Sequence, residues 1–384
     1  MRTIGVVTVA RSDYGIYLPI LRKIQGDPEL KLHLIVGGMH LAPEFGHTVE
    51  EIEADGFAIG ERVEMLLSSD SPAGIAKSIG LGVIGFAQVY AAFRPDILVV
   101  LGDRFEMYAA AVAALPFKIP IAHIHGGEVT QGALDDALRH SMTKLSHLHF
   151  VATEGYARRV IQLGEEPWRV VVSGAPGLDN LNTFPLLPAH EIEEKFGLRL
   201  DVPPLLVTFH PVTLEYEQTE YQMEELLAAL DMIDMPIVFT MPNADTRNSV
   251  IRRMIADFVE AHDAAQSVEN FGRQGYFSMM ALAAALVGNS SSGIIEASSF
   301  KLPVVNIGTR QAGRVRAANV IDVEYARTEI VSAIRRAISP EFRVGLRGLV
   351  NPYFAGADAA QIIVDGIKQT ALDKKLGMKT FHDM

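Results

Sequence analysis

The sequence predicts an α/β protein built from two Rossmann-like domains, and three observations carry that expectation. Short, uninterrupted apolar runs recur along the chain and alternate with segments whose apolar residues are spaced at three and four. The runs show no polar alternation, the pattern of parallel strands covered by helices on both faces. The series breaks once, at a polar, proline-containing stretch over 178–198, and then resumes.

In order, strands are expected at residues 4–9, 32–36, 97–101, 119–124, 149–152 and 170–173, with helical patterns such as 17–25 and 109–114 between them. After the linker, strands are expected at 204–209, 236–241 and 303–307, and an apolar segment over 281–287 ends in a glycine–serine turn. Helices are expected at 220–230 and 247–261, and a last one follows a loop after residue 351. The resulting division is a first domain over 1–180, a second over 181–365, and a C-terminal helix and tail over 366–384. A length of 384 residues agrees with two domains at roughly 150 residues each.

Composition narrows the function classes. Hydrophobic residues make up 49% and charged ones 21%, enough apolar side chain for two cores. The formal net charge of −12 argues against a nucleic-acid binder, which needs basic surface to follow phosphates. With no cysteine there are neither disulfides nor thiolate metal sites, in keeping with a reducing compartment. Met1-Arg2-Thr3 leads directly into IGVVTVA, which reads as a first strand and is too short for a secretory segment. No run of about 18 apolar residues is present, so no membrane span is expected. The expectation is a soluble, cytoplasmic protein.

The chemistry concentrates where strands end, the edge at which open α/β sheets bind ligands. The run at 97–101 stops at Gly102-Asp103-Arg104, and that at 119–124 stops at His125-Gly126-Gly127-Glu128. Asp135, Asp136, Arg139 and His140 follow just downstream. Carboxylates in a partly buried site suit removal of a proton from carbon, or steering of water to an oxocarbenium-like carbon. The same Asp103, Glu128, Asp135 and Asp136 also suit magnesium, or helix caps and surface pairs. His123 and His125 are two apart, which on a regular strand puts them on one face, but His125 is already at the strand end. No zinc spacing is present, and no metal is expected.

In the second half, Gly288-Asn289-Ser290-Ser291-Ser292-Gly293 opens a helix, and its backbone N–H groups and hydroxyls suit phosphate. A plain serine N-cap is the alternative. Glu296 suits a ribose diol or a dipole-compensating first-turn acid, and Arg310 and Arg314 suit a diphosphate or a solvated basic loop. His210, at a strand end, is either a general acid or phosphate donor, or a satisfied structural histidine. Arg11 follows the first strand in ARSDYG, which lacks the spacing of a dinucleotide fingerprint. It suits a diphosphate or product contact, or a surface pair.

At these residues the chain resembles the hydrolysing UDP-N-acetylglucosamine 2-epimerases of bacterial sialic-acid-type sugar pathways. The likeness runs nearly end to end, through TVARSDYG, VGGMHLAPEFGHTVEEI, LGDRFEM, HIHGGEVTQGALDDALRHSMTKLSHLHF, TFHPVT, PNADTRN, VGNSSSGIIEA and GTRQAGRVRAANVIDV. The resemblance implies a glycosyltransferase-B arrangement with the active site in the interdomain cleft, and no cofactor. It places Asp103 and Asp135, with Glu128 or its neighbour, at C1–C2 of the sugar, and His210 near the diphosphate or the acid/base centre. It places Ser290, Ser291 and Glu296 at phosphate and ribose, and Asn243 and Asp245 along the cleft. Arg11, Arg104, Asp136, Ser292, Arg310 and Arg314 complete the expected binding set. Relatives carry a glutamate where this chain has His125, so either Glu128 or His125 fills that position. The implied reaction eliminates UDP from UDP-N-acetylglucosamine and hydrates the 2-acetamidoglycal to N-acetylmannosamine. The 4-acetamido-6-deoxy analogue of legionaminic acid synthesis is the alternative substrate, and the non-hydrolysing epimerase and a glycosyltransferase are rival reactions. A homo-oligomer, dimer or tetramer, is expected, with neither nucleic acid nor membrane as partner.

Overall fold

The computed structural model describes residues 1–383 apart from 44, 45, 47, 70, 131–133, 183, 213, 214 and 243–246. It contains two compact units: Met1–Glu128, Asp135–Asn180 and Tyr353–Met384 form the first, and Val129–Leu134 and Leu181–Pro352 the second.

The first unit runs β1 (Arg2–Thr8), α1 (Arg11–Gly26), β2 (Leu30–Gly37), α2 (Val49–Ala54), β3 (Ile59–Val63), α3 (Pro72–Ala92), β4 (Ile97–Leu101), α4 (Phe105–Ala114), β5 (Ile121–Ile124), α5 (Leu134–Leu145), β6 (Leu148–Val151), α6 (Glu154–Gln162) and β7 (Val170–Val172). In the second, α7 (Ala189–Phe196), β8 (Leu205–Thr208), α8 (Thr219–Asp231), β9 (Ile237–Thr240), α9 (Asn248–Ala261), β10 (Ala265–Val268), α10 (Gly272–Leu282), β11 (Ala285–Gly288), α11 (Ser291–Ile295), β12 (Val304–Ile307), β13 (Val320–Val323), α12 (Arg327–Ile338) and α13 (Pro340–Gly345) follow. The chain then rejoins the first unit with α14 (Ala359–Gln369) and α15 (Lys374–Gly377).

The sheet of the first unit has the order β3-β2-β1-β4-β5-β6-β7, and that of the second β10-β9-β8-β11-β12-β13. All pairings are parallel. Central strands are apolar on both faces because helices cover both. In β8, Leu205 and Val207 enter one core with Phe239, while Leu206 enters the opposite core with Val238 and Leu286. Each such side chain contributes about 1.5–3 kcal/mol by leaving water.

Three strands escape the sequence pattern: β3, β10 and β13, all at sheet edges. Each has one neighbour and stays half solvated, so IGERV, AQSV and VIDV carry polar residues. The expected linker is also not plain coil, because α7 anchors it through the buried Ile192 and ends at Gly197 in the left-handed region.

The second domain, expected to run to residue 365, ends earlier. Residues from Tyr353 onward pack with the first unit, where Ala175 N–H donates to the Tyr353 carbonyl at 2.9 Å and the Tyr156 and Tyr353 hydroxyls meet at 2.9 Å. Asp179 accepts the Ala359 and Ala360 N–H groups at 3.2 and 2.7 Å, capping α14. Lys23 and Asp358 pair at 2.9 Å, as do Lys368 and Asp27. Such a long-range return leaves no local signature.

Helix α3 is, by length and composition, apolar enough to cross a membrane. Here it is the connection from β3 to β4, with a buried stripe of Gly74, Ser78, Gly82, Phe86, Val89 and Tyr90. A Cβ on Gly82 would lie 2.9 Å from that of Ala109 on α4, so the glycine sets how closely these helices approach.

Gly288, which ends β11, has φ +133°, and a Cβ there would fall 2.0 Å from the Thr208 carbonyl oxygen of β8. Gly288→Ala should therefore lower the unfolding free energy by at least about 2 kcal/mol, measured by urea denaturation of the full chain. A loss below about 0.5 kcal/mol would contradict this close approach.

Candidate active site

In each sheet the chain order reverses once, between β1 and β4 in the first and between β8 and β11 in the second. At such a switch point neighbouring loops diverge and leave room for a ligand. The loops leaving these four strands carry Arg11, Gly102-Asp103-Arg104, His210 and Gly288-Asn289-Ser290.

In the first unit, Gly102 turns out of β4 with φ +73°, and Asp103 follows. Behind it lies Arg139 of α5, only 1% exposed. Its guanidinium donates to Asp103 Oδ2 and, at 3.3 Å, to Asp136 Oδ1. The carboxylates themselves keep 23% and 29% of their side-chain surface exposed. Two reachable carboxylates are thus held from behind by one buried cation. His140 Nε2 lies 3.5 Å from the second oxygen of Asp136, and Asp135 sits partly buried in the same helical turn.

One strand away, β5 ends at Ile124, and His125 adopts φ +63°. This left-handed residue breaks the strand's alternation, so the single face that a regular strand would give His123 and His125 does not form. His125 Nδ1 meets Glu128 Oε1 at 2.7 Å, with side-chain exposures of 9% and 3%. The two candidates for the relatives' glutamate position are therefore one hydrogen-bonded pair. His123 Nε2 donates to the Gly102 carbonyl at 2.8 Å, behind the Asp103 turn. Burial pushes its pKa down to about 3, so it is a neutral support.

Arg104 directs its fork at the fully buried Glu106, at 2.9 and 3.2 Å, and also reaches Met39 Sδ at 3.2 Å. Arg11, the first residue of α1, is half exposed and stands 4.0 Å from Glu51, a surface pair worth little.

In the second unit, His210 and Asn289 clamp the ends of β8 and β11 together. His210 N–H donates to Asn289 Oδ1 at 2.7 Å, and Asn289 Nδ2 donates to the His210 carbonyl at 2.8 Å. Gln311 and Arg310 donate to the Asn289 carbonyl at 2.9 and 3.3 Å, which brings the Gly308–Arg316 loop to the same edge. Burial, followed by the charge of Arg310, holds the His210 imidazole well below its usual pKa.

Ser290 caps α11 by accepting the Ser292 N–H at 3.3 Å. The helix is only five residues long and ends at Glu296, which is its C-cap and not a first-turn acid. Ser291 is its first residue. Tyr276 of α10 lies 3.4 Å from Thr208 Oγ1, and burial raises its pKa, opposed by Thr208 and by the serines of the turn. Arg316 holds the loop carrying Arg314, donating to the Arg314 carbonyl at 2.8 Å and pairing with Asp322 at 2.7 Å. Asn243 and Asp245 lie outside the described residues. Among the described residues no three acidic or histidine side chains converge as metal ligands.

Sequence reasoning gave no role to Arg139, Asn289, Tyr276 or Gln311. Arg139 had a signal, three residues after Asp136 and so on the same face of a helix. The other three act through backbone and hydroxyl contacts that only the tertiary fold creates.

Several histidines are buried neutral, with His40 and His147 held down to about 4 and His123 to about 3 by burial. Their folded pKa values lie below the unfolded value of roughly 6.5. The stability they contribute is present above that pH and is lost as pH falls toward 3–4. Chemical denaturation between pH 7 and 5 should show decreasing stability, and NMR should show His210 neutral at pH 6. Stability rising on acidification, or His210 titrating near 6.5, would contradict these burial assignments.

The sequence matches the family described as UDP-N-acetylglucosamine 2-epimerase over residues 22–368. It is 37% identical over its whole length to a "GDP/UDP-N,N'-diacetylbacillosamine 2-epimerase (hydrolyzing)" of Campylobacter jejuni, covering 99% of that protein. It is also 37% identical to the "Polysialic acid biosynthesis protein P7" of Escherichia coli, over 100% of this chain and 98% of that one. In three dimensions it is similar to the UDP-GlcNAc 2-epimerase from Neisseria meningitidis bound to UDP-GlcNAc, with a TM-score of 0.83 at 18% identity. That likeness covers 96% of this chain and all of the other, and shows a shared fold of the glycosyltransferase-B class. The chain belongs to the UDP-N-acetylglucosamine 2-epimerase family.

Proposed function

We propose that this protein is a hydrolysing 2-epimerase of UDP-2-acetamido sugars. One observation carries the reading: a buried Arg139 that holds two reachable carboxylates, Asp103 and Asp136, at the switch point of the first sheet. Elimination of UDP requires a base at C2 of the sugar and stabilisation of the departing diphosphate. Asp103 or Asp135 removes the C2 proton as the C1–O bond breaks, leaving a 2-acetamidoglycal and UDP. Water then adds its oxygen to C1 and a proton enters C2 from the opposite face, giving the free, inverted sugar. The His125–Glu128 pair suits the water step, because a carboxylate bonded to an imidazole both orients it and moves a proton through it. The sum of the two steps is hydrolysis with inversion at C2, without change of oxidation state, so no redox cofactor is required.

The second unit supplies groups suited to the nucleotide. Ser290, Ser291, Ser292, Arg310 and Arg314 bind the diphosphate, Glu296 the ribose, and His210 donates as a neutral imidazole. Arg11 and Arg104 add positive charge on the first unit. Asn243 and Asp245 are further binding residues on the resemblance alone.

UDP-N-acetylglucosamine is the first substrate to test, its product being N-acetylmannosamine for nonulosonic acid synthesis. A second reading, UDP-2,4-diacetamido-2,4,6-trideoxyglucose, is favoured by the names of relatives. Besides the Campylobacter protein, one of Legionella pneumophila, 37% identical over 88% of this chain, is a "UDP-N,N'-diacetylbacillosamine 2-epimerase (hydrolyzing)". A cytoplasmic homo-oligomer completes the proposal, the compartment on the grounds of the cysteine-free composition.

Incubation with each sugar in D2O should yield UDP and free 2-epimerised sugar in equal amounts, with deuterium at C2, by NMR. A UDP-linked epimer at equilibrium with no free sugar would replace this reading with the non-hydrolysing reaction. Asp103→Asn and Asp135→Asn test the base. The variant that removes it should lose on the order of 10²–10⁴ in turnover, with little change in UDP affinity by calorimetry. Arg139→Lys keeps the charge but not the fork, and should lose about tenfold or more in kcat/KM. Wild-type kinetics in Arg139→Lys would remove the positioning role of the guanidinium.

A further inference from the structure

The segment VGGMH at the exit of β2 takes no part in the chemistry above, yet it carries a fully buried histidine. His40 sits in the 3-10 turn Gly38–Leu41 and is 0% exposed. Its Nε2 lies 2.9 Å from Thr8 Oγ1, and its Nδ1 2.7 Å from Oγ1 of Thr48, the N-cap of α2. Thr8 is in turn hydrogen-bonded to Asp13 Oδ1. The buried Asp13 accepts the Ala10 N–H at Oδ2, 2.8 Å away, and the Val9 N–H at 3.2 and 3.3 Å. One continuous chain of hydrogen bonds therefore links β1, α1, the turn and the cap of α2.

A hydroxyl has one hydrogen to give, so this chain has a direction. With Asp13 ionised, Thr8 donates to the carboxylate and can only accept from His40. His40 must then carry its hydrogen on Nε2, and its bare Nδ1 accepts from Thr48. A hydrogen on the Asp13 side reverses every bond: Thr8 donates to Nε2, and Nδ1–H donates to Thr48. The ring stays neutral in both arrangements, because burial pushes its pKa down to about 4. Burial pushes the Asp13 carboxyl up to about 7, opposed by Thr8, by the charge of Arg104 and by the Val9 and Ala10 N–H groups.

We propose that this relay makes the tautomer of His40 follow the charge of Asp13, and that Thr8, Asp13 and His40 are positioning residues for Arg104. The mechanical link is the turn itself. Met39 N–H donates to the Val9 carbonyl at 2.8 Å, and Met39 Sδ touches the Arg104 guanidinium, whose fork is fixed on Glu106. The charged and titratable groups facing the relay are Arg104, which acts on both Asp13 and His40, and Tyr17 on α1, whose phenol is raised by burial and by Asp13. Tyr14 stands edge-on to His40 with ring centres 6.2 Å apart, and its hydroxyl donates to Asp55 at 2.6 Å.

The tautomer coupling rests on the hydrogen-bond geometry together with the raised pKa of the buried Asp13, and its effect on turnover rests on the proposed reaction. Histidine 15N NMR of the full chain tests the first part. His40 should show the Nε2–H tautomer at pH 8.5, move toward Nδ1–H as pH falls through about 7, and form no imidazolium above pH 5. Asp13→Asn, whose amide donates to Thr8, should show Nδ1–H throughout, and Thr8→Val should abolish the pH dependence. The same tautomer in wild type and Asp13→Asn, or a His40 imidazolium forming near pH 6.5, would overturn the coupling. For the second part, His40→Ala should raise KM for the UDP sugar about tenfold or more through a loosened Arg104, and His40→Gln, which keeps a group facing Thr8, should recover most of it. Unchanged KM in His40→Ala, with only a lowered melting temperature, would overturn the positioning role. If wild type turns over neither UDP sugar, the proposed reaction fails while the NMR result still decides the relay.

Discussion

Arg139 is 1% exposed, so its guanidinium has lost the water that would solvate its charge and must find that solvation in the protein. It finds it in Asp103 and Asp136, one on the loop after β4 and the other on its own helix. This requirement ties the β4 exit to α5 and holds two partly exposed carboxylates on one guanidinium. The carboxylates could not hold that geometry alone, since two acids at close range repel. Removing either one would leave a buried cation poorly compensated.

At both sheet edges, burial sets protonation. His123 supports the Gly102 turn as a neutral donor, and His210 is neutral beside Arg310. Keeping these rings uncharged confines charge at the sheet edges to groups that have a partner: Asp103 with Arg139, and Arg104 with Glu106. The strained φ of His125 fits the same picture, because it turns the imidazole out of the strand and onto Glu128.

The central strands and the residues at the strand ends were legible because they follow from apolar runs that stop at charged or glycine-rich turns, whereas the order of the strands, and with it the reversal of each sheet, came only with the structure. Edge strands were not, since partial solvation removes the apolar pattern from Ile59–Val63, Ala265–Val268 and Val320–Val323. The return of Tyr353 and α14 to the first unit was invisible for another reason: it depends on the Asp179 cap and the tyrosine pair, contacts far apart in sequence. Within the site, the carboxylates and His210 were legible as residue types. The Asn289 clamp and the Tyr276 contact to the serine turn were not, because each is defined by backbone groups that converge only after folding. The serine turn itself read as the start of a longer helix than the five-residue one it opens.

The central claim is that the C1–O bond of the sugar breaks, and not a phosphorus–oxygen bond of the diphosphate. Hydrolysis in water enriched in 18O decides this, read by mass spectrometry of the UDP released, whose phosphate oxygens do not exchange. The account predicts UDP free of label, the oxygen from water having entered the sugar at C1. One labelled oxygen on the β-phosphate of UDP would contradict it, and would reassign the carboxylates of the first unit to attack at phosphorus.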